Sequence, residues 1–223
     1  MDLKSSIRNV LTAIANLIPS VGYVQGMNHI LAAISYNLQE ALYVDQEAFP
    51  SLIVNKELFM FWIMIYIMQD LNWRCIFTQK FAKLRKVAEA FEQRLLDSSP
   101  QLLEHIYNYG INDGYNTKNL DFSLLDIFFS NVLTILTDSV PVSKTGPVLD
   151  IFLLSGEKVI TDVLLRALFF NKERILAIKE KEVVPTLTQK LRNFLKREMI
   201  SSFFENREPK EIFPFSLNQK ILE

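Results

Sequence analysis

At 223 residues, 49% hydrophobic and 12% aromatic, the chain can bury the core of one large domain, which excludes global disorder. Lys and Arg number 24 against 25 Asp and Glu, a net charge of −1, so the basic excess needed for sequence-blind nucleic-acid binding is missing. The single cysteine, Cys75, excludes an internal disulfide framework and any cysteine-rich zinc or iron–sulfur site, and two histidines, His29 and His105, leave little for a histidine-based one. No metal or cofactor is therefore expected, and the cysteine usage fits a reducing, cytosolic setting.

Apolar spacing is helical nearly everywhere, and the fold class it predicts is all-α. Ile7, Val10, Leu11, Ile14 and Leu17 recur every three or four positions, and Pro19 stops that helix. Gly22 lies in a short connector, and a second helix is predicted from near Gln25 to about Leu42. Asp45-Gln46-Glu47 can begin another segment, and Glu57 to Leu71 reads as a fully buried helix. Its densest apolar run, Leu58 to Met68, is about half the ~20 residues a membrane-spanning helix needs. Met1 to Ser5 also lacks the basic-then-apolar order of a secretory signal.

Phe81, Leu84, Val87, Ala88, Phe91 and Leu95 mark an amphipathic helix ending before Pro100. Gln101 to Tyr109 follows, closed by Gly110 as a C-terminal cap, and Asn112 to Asn119 is loop chemistry. Helical patterning resumes from Phe122 to about Thr137, after which Pro141 and Pro147 break the chain. Val148 to Leu154 and Lys158 to Phe170 flank Gly156, and Lys172 to Val184 and Thr186 to Ser201 flank Pro185. A helical domain over 1–200 thus precedes an extended C-terminal tail over 201–223, where Phe203, Phe204, Phe213 and Phe215 stand among Pro209 and Pro214 without helical period. Phe61, Trp62, Ile65 and Phe129 are expected in the core.

Enzyme chemistry is sparse. No G-x-x-x-x-G-K-[ST], G-x-S-x-G or H-E-x-x-H occurs. Cys75 reads as a core cysteine and His29 as a hydrogen-bonded, half-buried histidine; Asp121 and Asp126, five apart, share a helix face poorly. The segment that stands out is Val21-Gly22-Tyr23-Val24-Gln25-Gly26-Met27-Asn28. One reading is a tight helix–helix turn with Tyr23 packed inward and Gln25 capping the next helix. The other is a binding turn whose glycines let a partner approach the backbone, with Gln25 as its polar tip.

Gly22-Tyr23-x-Gln25-Gly26-Met27-Asn28 resembles the signature turn of the TBC domain, the all-helical module of GTPase-activating proteins for Rab GTPases. The resemblance runs over about residues 5–180, through Arg8 to Ala13, Phe61-Trp62, Pro100 to Ile106 with Gly110-Ile111, Phe128-Phe129 to Val140-Pro141, and Val148-Leu149-Asp150 with Gly156. It implies a dual-finger mechanism, in which a glutamine orients the attacking water and an arginine neutralises developing charge. Gln25 matches the glutamine finger, and Gly22, Tyr23, Gly26, Met27, Asn28 and Asp150 are the implied binding positions. The arginine motif, I-x-x-D-x-x-R, is not found: Ile135-Leu136-Thr137-Asp138 has its first half, but Pro141 stands where arginine is required. The family's arginine and tryptophan before the aspartate are likewise Pro147 and Leu149 here.

The resemblance therefore implies a non-catalytic or incomplete TBC module, with no intrinsic activity of its own. Its partners would be a Rab-type small GTPase, neighbouring proteins of a larger assembly, or both. The alternative is an active activator whose arginine-finger helices lie outside this chain. The expected setting is the cytoplasm, at membrane surfaces or within a cytoskeletal assembly.

Overall fold

The computed structural model describes residues 2–44, 50–78, 82–111, 124–179, 190–205 and 207. Among them every regular element is helical: α1 (Leu3–Leu17), α2 (Met27–Val44), α3 (Pro50–Gln69), α4 (Arg74–Phe77), α5 (Ala82–Ser98), α6 (Pro100–Ile106), α7 (Leu124–Leu133), α8 (Thr145–Ser155), α9 (Lys158–Phe170), α10 (Lys172–Ala177), α11 (Lys190–Asn193) and α12 (Met199–Glu205). Wider π-helical turns, Tyr107–Ile111 and Phe194–Glu198, extend α6 and α11, and a 3₁₀ turn, Val142–Lys144, leads into α8. None of the described helices is long and apolar enough to cross a membrane.

The apolar face of α1, with Val10 and Ile14 buried, packs on α2 and α3, and α2 also meets α8. Further along, α5 packs against α6, α7 and α9. Edge-to-face aromatic pairs join these layers: Trp73 and Phe152 at 5.0 Å link the segment before α4 to α8, and Phe91 and Phe128 at 5.5 Å link α5 to α7. Trp73, Phe128, Phe152 and Phe204 are among the largest fully buried side chains.

The helix read as fully buried, α3, is not. Met60, Met64, Ile65, Ile67 and Met68 face the core, but Trp62 is 59% exposed, with Leu58, Phe59 and Tyr66 beside it on the surface. Phe61 and Phe129, also expected inside, are only half-buried, whereas Ile65 is buried. An apolar pattern on every face carries no polar stripe, so nothing in it marks the side that meets solvent.

Other boundaries shift for identifiable reasons. Gly110 lies inside the π turn Tyr107–Ile111 and does not cap the helix. Pro147 does not break the chain: it occupies the third position of α8, within the first turn, where an amide N–H has no intrahelical acceptor to lose. The helix expected to reach Thr137 ends at Leu133, because Ile135 and Leu136 take left-handed φ of 54° and 64° and turn the chain back into the core. The helix expected to reach Val184 ends at Ala177; the loop over 112–119, Asp121, Pro185, Phe213 and Phe215 lie outside the described residues.

Phe203 and Phe204 do not belong to an irregular tail. Both sit in α12, 4% and 1% exposed, and Phe203 meets Phe170 of α9 edge-on at 5.6 Å. Polar groups lock the helix in place. Lys144 Nζ donates to the carbonyls of Phe204 (2.9 Å) and Arg207 (2.8 Å), setting a cation at the helix C-terminus. Ser201 Oγ donates to the Ser139 carbonyl at 2.9 Å. Asn171, 1% exposed, donates from Nδ2 to the carbonyls of Ala167 (2.9 Å) and Met199 (3.2 Å), joining α9 to α12. Replacing it with alanine removes both of these bonds and the Oδ1 acceptor that Ser202 Oγ meets at 3.1 Å, so Asn171→Ala is expected to lower unfolding free energy by about 1–3 kcal/mol in a urea titration. An unchanged midpoint would show that these side-chain bonds add nothing net to the joint between α9 and α12.

Candidate functional site

The segment between α1 and α2 is built from two left-handed glycines and a buried methionine. Ile18 continues the α1 ladder by donating to Ile14 O at 2.8 Å, and the amides of Val21 and Gly22 both donate back to Ile18 O at 3.0 Å. Gly22 then adopts φ +65° with open space where a Cβ would point, so backbone conformation alone demands glycine there. Gly26 adopts φ +112°, and a Cβ on it would lie 3.3 Å from Leu133 Cδ2 and 3.4 Å from Thr134 Cγ2. Met27, 0% exposed, anchors the start of α2.

Between the glycines, exposure alternates. Tyr23 is 54% exposed, Val24 is half-buried against the core, Gln25 is exposed and Gly26 is buried. Tyr23 and Gln25 therefore stand out together, and the expectation that Tyr23 packs inward is not met. Gln25 does not serve as the cap either. Asn28 takes the local polar work: its Oδ1 accepts from the Gly26 amide at 3.1 Å and from the Tyr23 hydroxyl at 3.4 Å. One amide thus ties down both neighbours of the Val24–Gln25 pair and leaves the glutamine side chain to solvent.

The turn after α7 forms the floor under Gly26. Thr134, which touches the Gly26 position through its methyl, donates its hydroxyl to Ser130 O and to Asp138 Oδ1, both at 2.8 Å. Asp138 also accepts from the hydroxyls of Ser130 and Ser139. Asn131 Nδ2 donates to Ser139 Oγ at 2.6 Å. Sequence reasoning singled out Asp138 only as half of an absent arginine motif; the density of Ser, Thr, Asn and Asp over 130–139 was the available signal for a side-chain-built turn.

The remaining candidates lie apart from this arrangement. Asp150 sits exposed on α8, where partial desolvation raises its carboxyl pKa, and among the described residues no hydrogen bond joins it to the turn. His29 is exposed, not half-buried. Cys75 is half-buried, not a core residue, and its thiol donates to Asn72 Oδ1 at 3.1 Å. His105 Nε2 bonds the Ile178 carbonyl at 2.9 Å, a structural tie. A second I-x-x-D, Ile67 to Asp70, ends on Trp73 where an arginine would be needed, and Trp73 is 0% exposed.

The family model of the Rab-GTPase-TBC domain matches residues 2–176. TBC1 domain family member 2B of Mus musculus is 26% identical over 208 residues, covering 91% of this chain and 18% of that protein. The Homo sapiens protein of the same name aligns over the same span with the same identity. GTPase-activating protein GYP5 of Eremothecium gossypii is 23% identical over 209 residues, 93% of this chain and 22% of that protein. The chain thus spans about a fifth of the length of the curated relatives it matches.

Proposed function

The chain belongs to the Rab-GTPase-TBC domain family, and on that premise we propose that it binds a Rab-type small GTPase through the Gly22–Asn28 turn without accelerating GTP hydrolysis by itself. The observation that carries this reading is Gln25, held out to solvent on a turn whose both ends are fixed by glycine geometry and Asn28. A carboxamide suits the task, because it donates through its NH₂ to one oxygen while its carbonyl accepts from a water. Tyr23, exposed beside it, supplies apolar contact area and a hydroxyl.

Orientation of water is half of the chemistry. Charge developing on the transferred phosphoryl needs a cation, and an arginine finger is worth roughly 10³–10⁵ in rate in related GTPase systems. These 223 residues contain no I-x-x-D-x-x-R to supply one. Nucleotide and magnesium would belong to the GTPase, so the module itself needs no cofactor. A second reading is favoured by one observation, the much greater length of the relatives: on it, the arginine comes from sequence outside these 223 residues and the whole protein is an activator.

Binding of the chain to a panel of Rab proteins loaded with a non-hydrolysable GTP analogue tests the proposal. Micromolar or tighter binding to at least one is expected, weakened about tenfold or more by Gln25→Ala or Tyr23→Ala, each a loss of about 1.4 kcal/mol, with melting temperature retained. Binding by neither wild type nor variants, or equal binding by all three, would overturn it.

A further inference from the structure

We infer that the Ser130–Asp138 turn is a positioning device for Gln25, with Thr134 and Asp138 as positioning residues that set the height and angle of the glutamine-bearing turn. The inference rests on the function proposed for that turn, and three independent observations support it.

The first is contact. Gly26 follows Gln25 directly, and its α-carbon lies so close to Leu133 and Thr134 that even a methyl group would press on them at 3.3–3.4 Å. The glutamine turn therefore rests on this floor, and any displacement of Thr134 is passed to the residue next to Gln25.

The second is strain. Ile135 and Leu136 hold φ of 54° and 64°, and both are 0% exposed. A β-branched residue in this region is a steric outlier, and such backbone persists only where the surroundings over-determine it. Burial of both side chains and the Leu136 N–H to Asn131 O bond, 2.6 Å, hold the conformation against its cost.

The third is the polar clamp. Asp138 accepts from the hydroxyls of Ser130, Thr134 and Ser139, which closes the strained loop across its base. The clamp continues outward, because the backbone carbonyl of Ser139 accepts from Ser201 of α12. A path of direct contacts thus runs from the C-terminal helix through Asp138 and Thr134 to Gly26 and Gln25. Thr134 is 2% exposed and so acts through packing, while the exposed carboxylate of Asp138 is committed to the three hydroxyls that close the loop.

The test compares Asp138→Ala and Thr134→Val with the conservative Asp138→Asn, reading two quantities on the intact chain. Amide hydrogen exchange over residues 21–28 reports the turn without any partner. Binding to the GTP-analogue-loaded Rab panel reports its function. Asp138→Ala and Thr134→Val are expected to speed exchange of the Gly26 and Met27 amides about tenfold and to weaken binding by a similar factor, while exchange across α9 stays unchanged. Asp138→Asn, which keeps an acceptor for Thr134, is expected to stay within about twofold of wild type in both. Should Asp138→Ala fail to fold, the milder Thr134→Val decides alone. Unchanged exchange at 21–28 in a folded variant would overturn the positioning role whatever binding shows. If the wild type binds no Rab protein, the function proposed for the turn falls, while the exchange arm still decides whether the floor sets its position. Faster exchange in the turn with undiminished binding would also overturn the inference, since the floor would then not govern Gln25.

Discussion

Removing residues 199–223, and α12 with them, is expected to leave a chain with no cooperative unfolding transition. Met199, Ile200, Phe203 and Phe204 are each at most 4% exposed, and deleting a large buried side chain costs about 2–5 kcal/mol through lost transfer and the cavity left behind. Four such losses together reach or exceed the 5–15 kcal/mol that holds a typical domain folded. The deletion also strips Asn171, Lys144 and the Ser139 carbonyl of their partners. Phe204→Ala alone is expected to cost about 3–5 kcal/mol, visible as a large drop in the thermal midpoint followed by circular dichroism. A melt of the deleted chain within a few degrees of the intact one would show that α12 is an appendage and not part of the core.

Gly26→Val is expected to abolish GTPase binding while the helical content of the chain survives. Valine is doubly excluded at this position. A φ of +112° lies outside what a β-branched residue adopts, and its Cβ alone would press on Leu133 and Thr134 at 3.3 and 3.4 Å before its methyls are placed. The chain relieves the clash by moving the turn, and Gln25 moves with it. Affinity for the loaded Rab panel is expected to fall at least a hundredfold, a loss of about 2.7 kcal/mol. Gly22→Ala, which meets open space and only the φ penalty, is expected to do far less. Equal loss at both glycines would mean that flexibility of the segment, and not its seat on the α7 turn, is what binding needs.

Much of the fold was legible because its signals are local. Helix α9 runs Lys158–Phe170 as its spacing predicts, since Gly156 before it and a polar stretch after it punctuate a clear amphipathic period. The all-helical class followed from the same rhythm. What was not legible depends on partners distant in sequence. Trp62 stands outside because α1 and α2 cover the opposite face of α3, and a helix apolar on all sides does not announce that choice. Phe203 and Phe204 gained helical order from α9 and Lys144, not from their own neighbours in sequence.

The candidate site divides along the same line. The glycines that flank Gln25 and the tyrosine beside it marked the turn, because those residues state their backbone geometry directly. They also allowed a plain helix–helix turn, and the family resemblance is what singled out Gln25. Its floor was not identifiable, because Leu133 and Thr134 are more than a hundred residues away and meet Gly26 only through tertiary packing, with Asp138 reaching it only through Thr134. Asn28 shows the intermediate case: it was noted as part of the turn, but its double acceptor role appears only with coordinates.

The central claim is that this chain engages a Rab-type GTPase through Gln25 but lacks the cation that acceleration requires. Single-turnover release of phosphate from GTP-loaded Rab proteins, with the chain in saturating excess, tests it most directly. The expected result is hydrolysis at or near each protein's intrinsic rate, on at least one Rab protein that the chain measurably binds. Stimulation approaching a hundredfold on any member of the panel would contradict the account, because these 223 residues would then supply a charge-neutralising group that their sequence and geometry do not reveal.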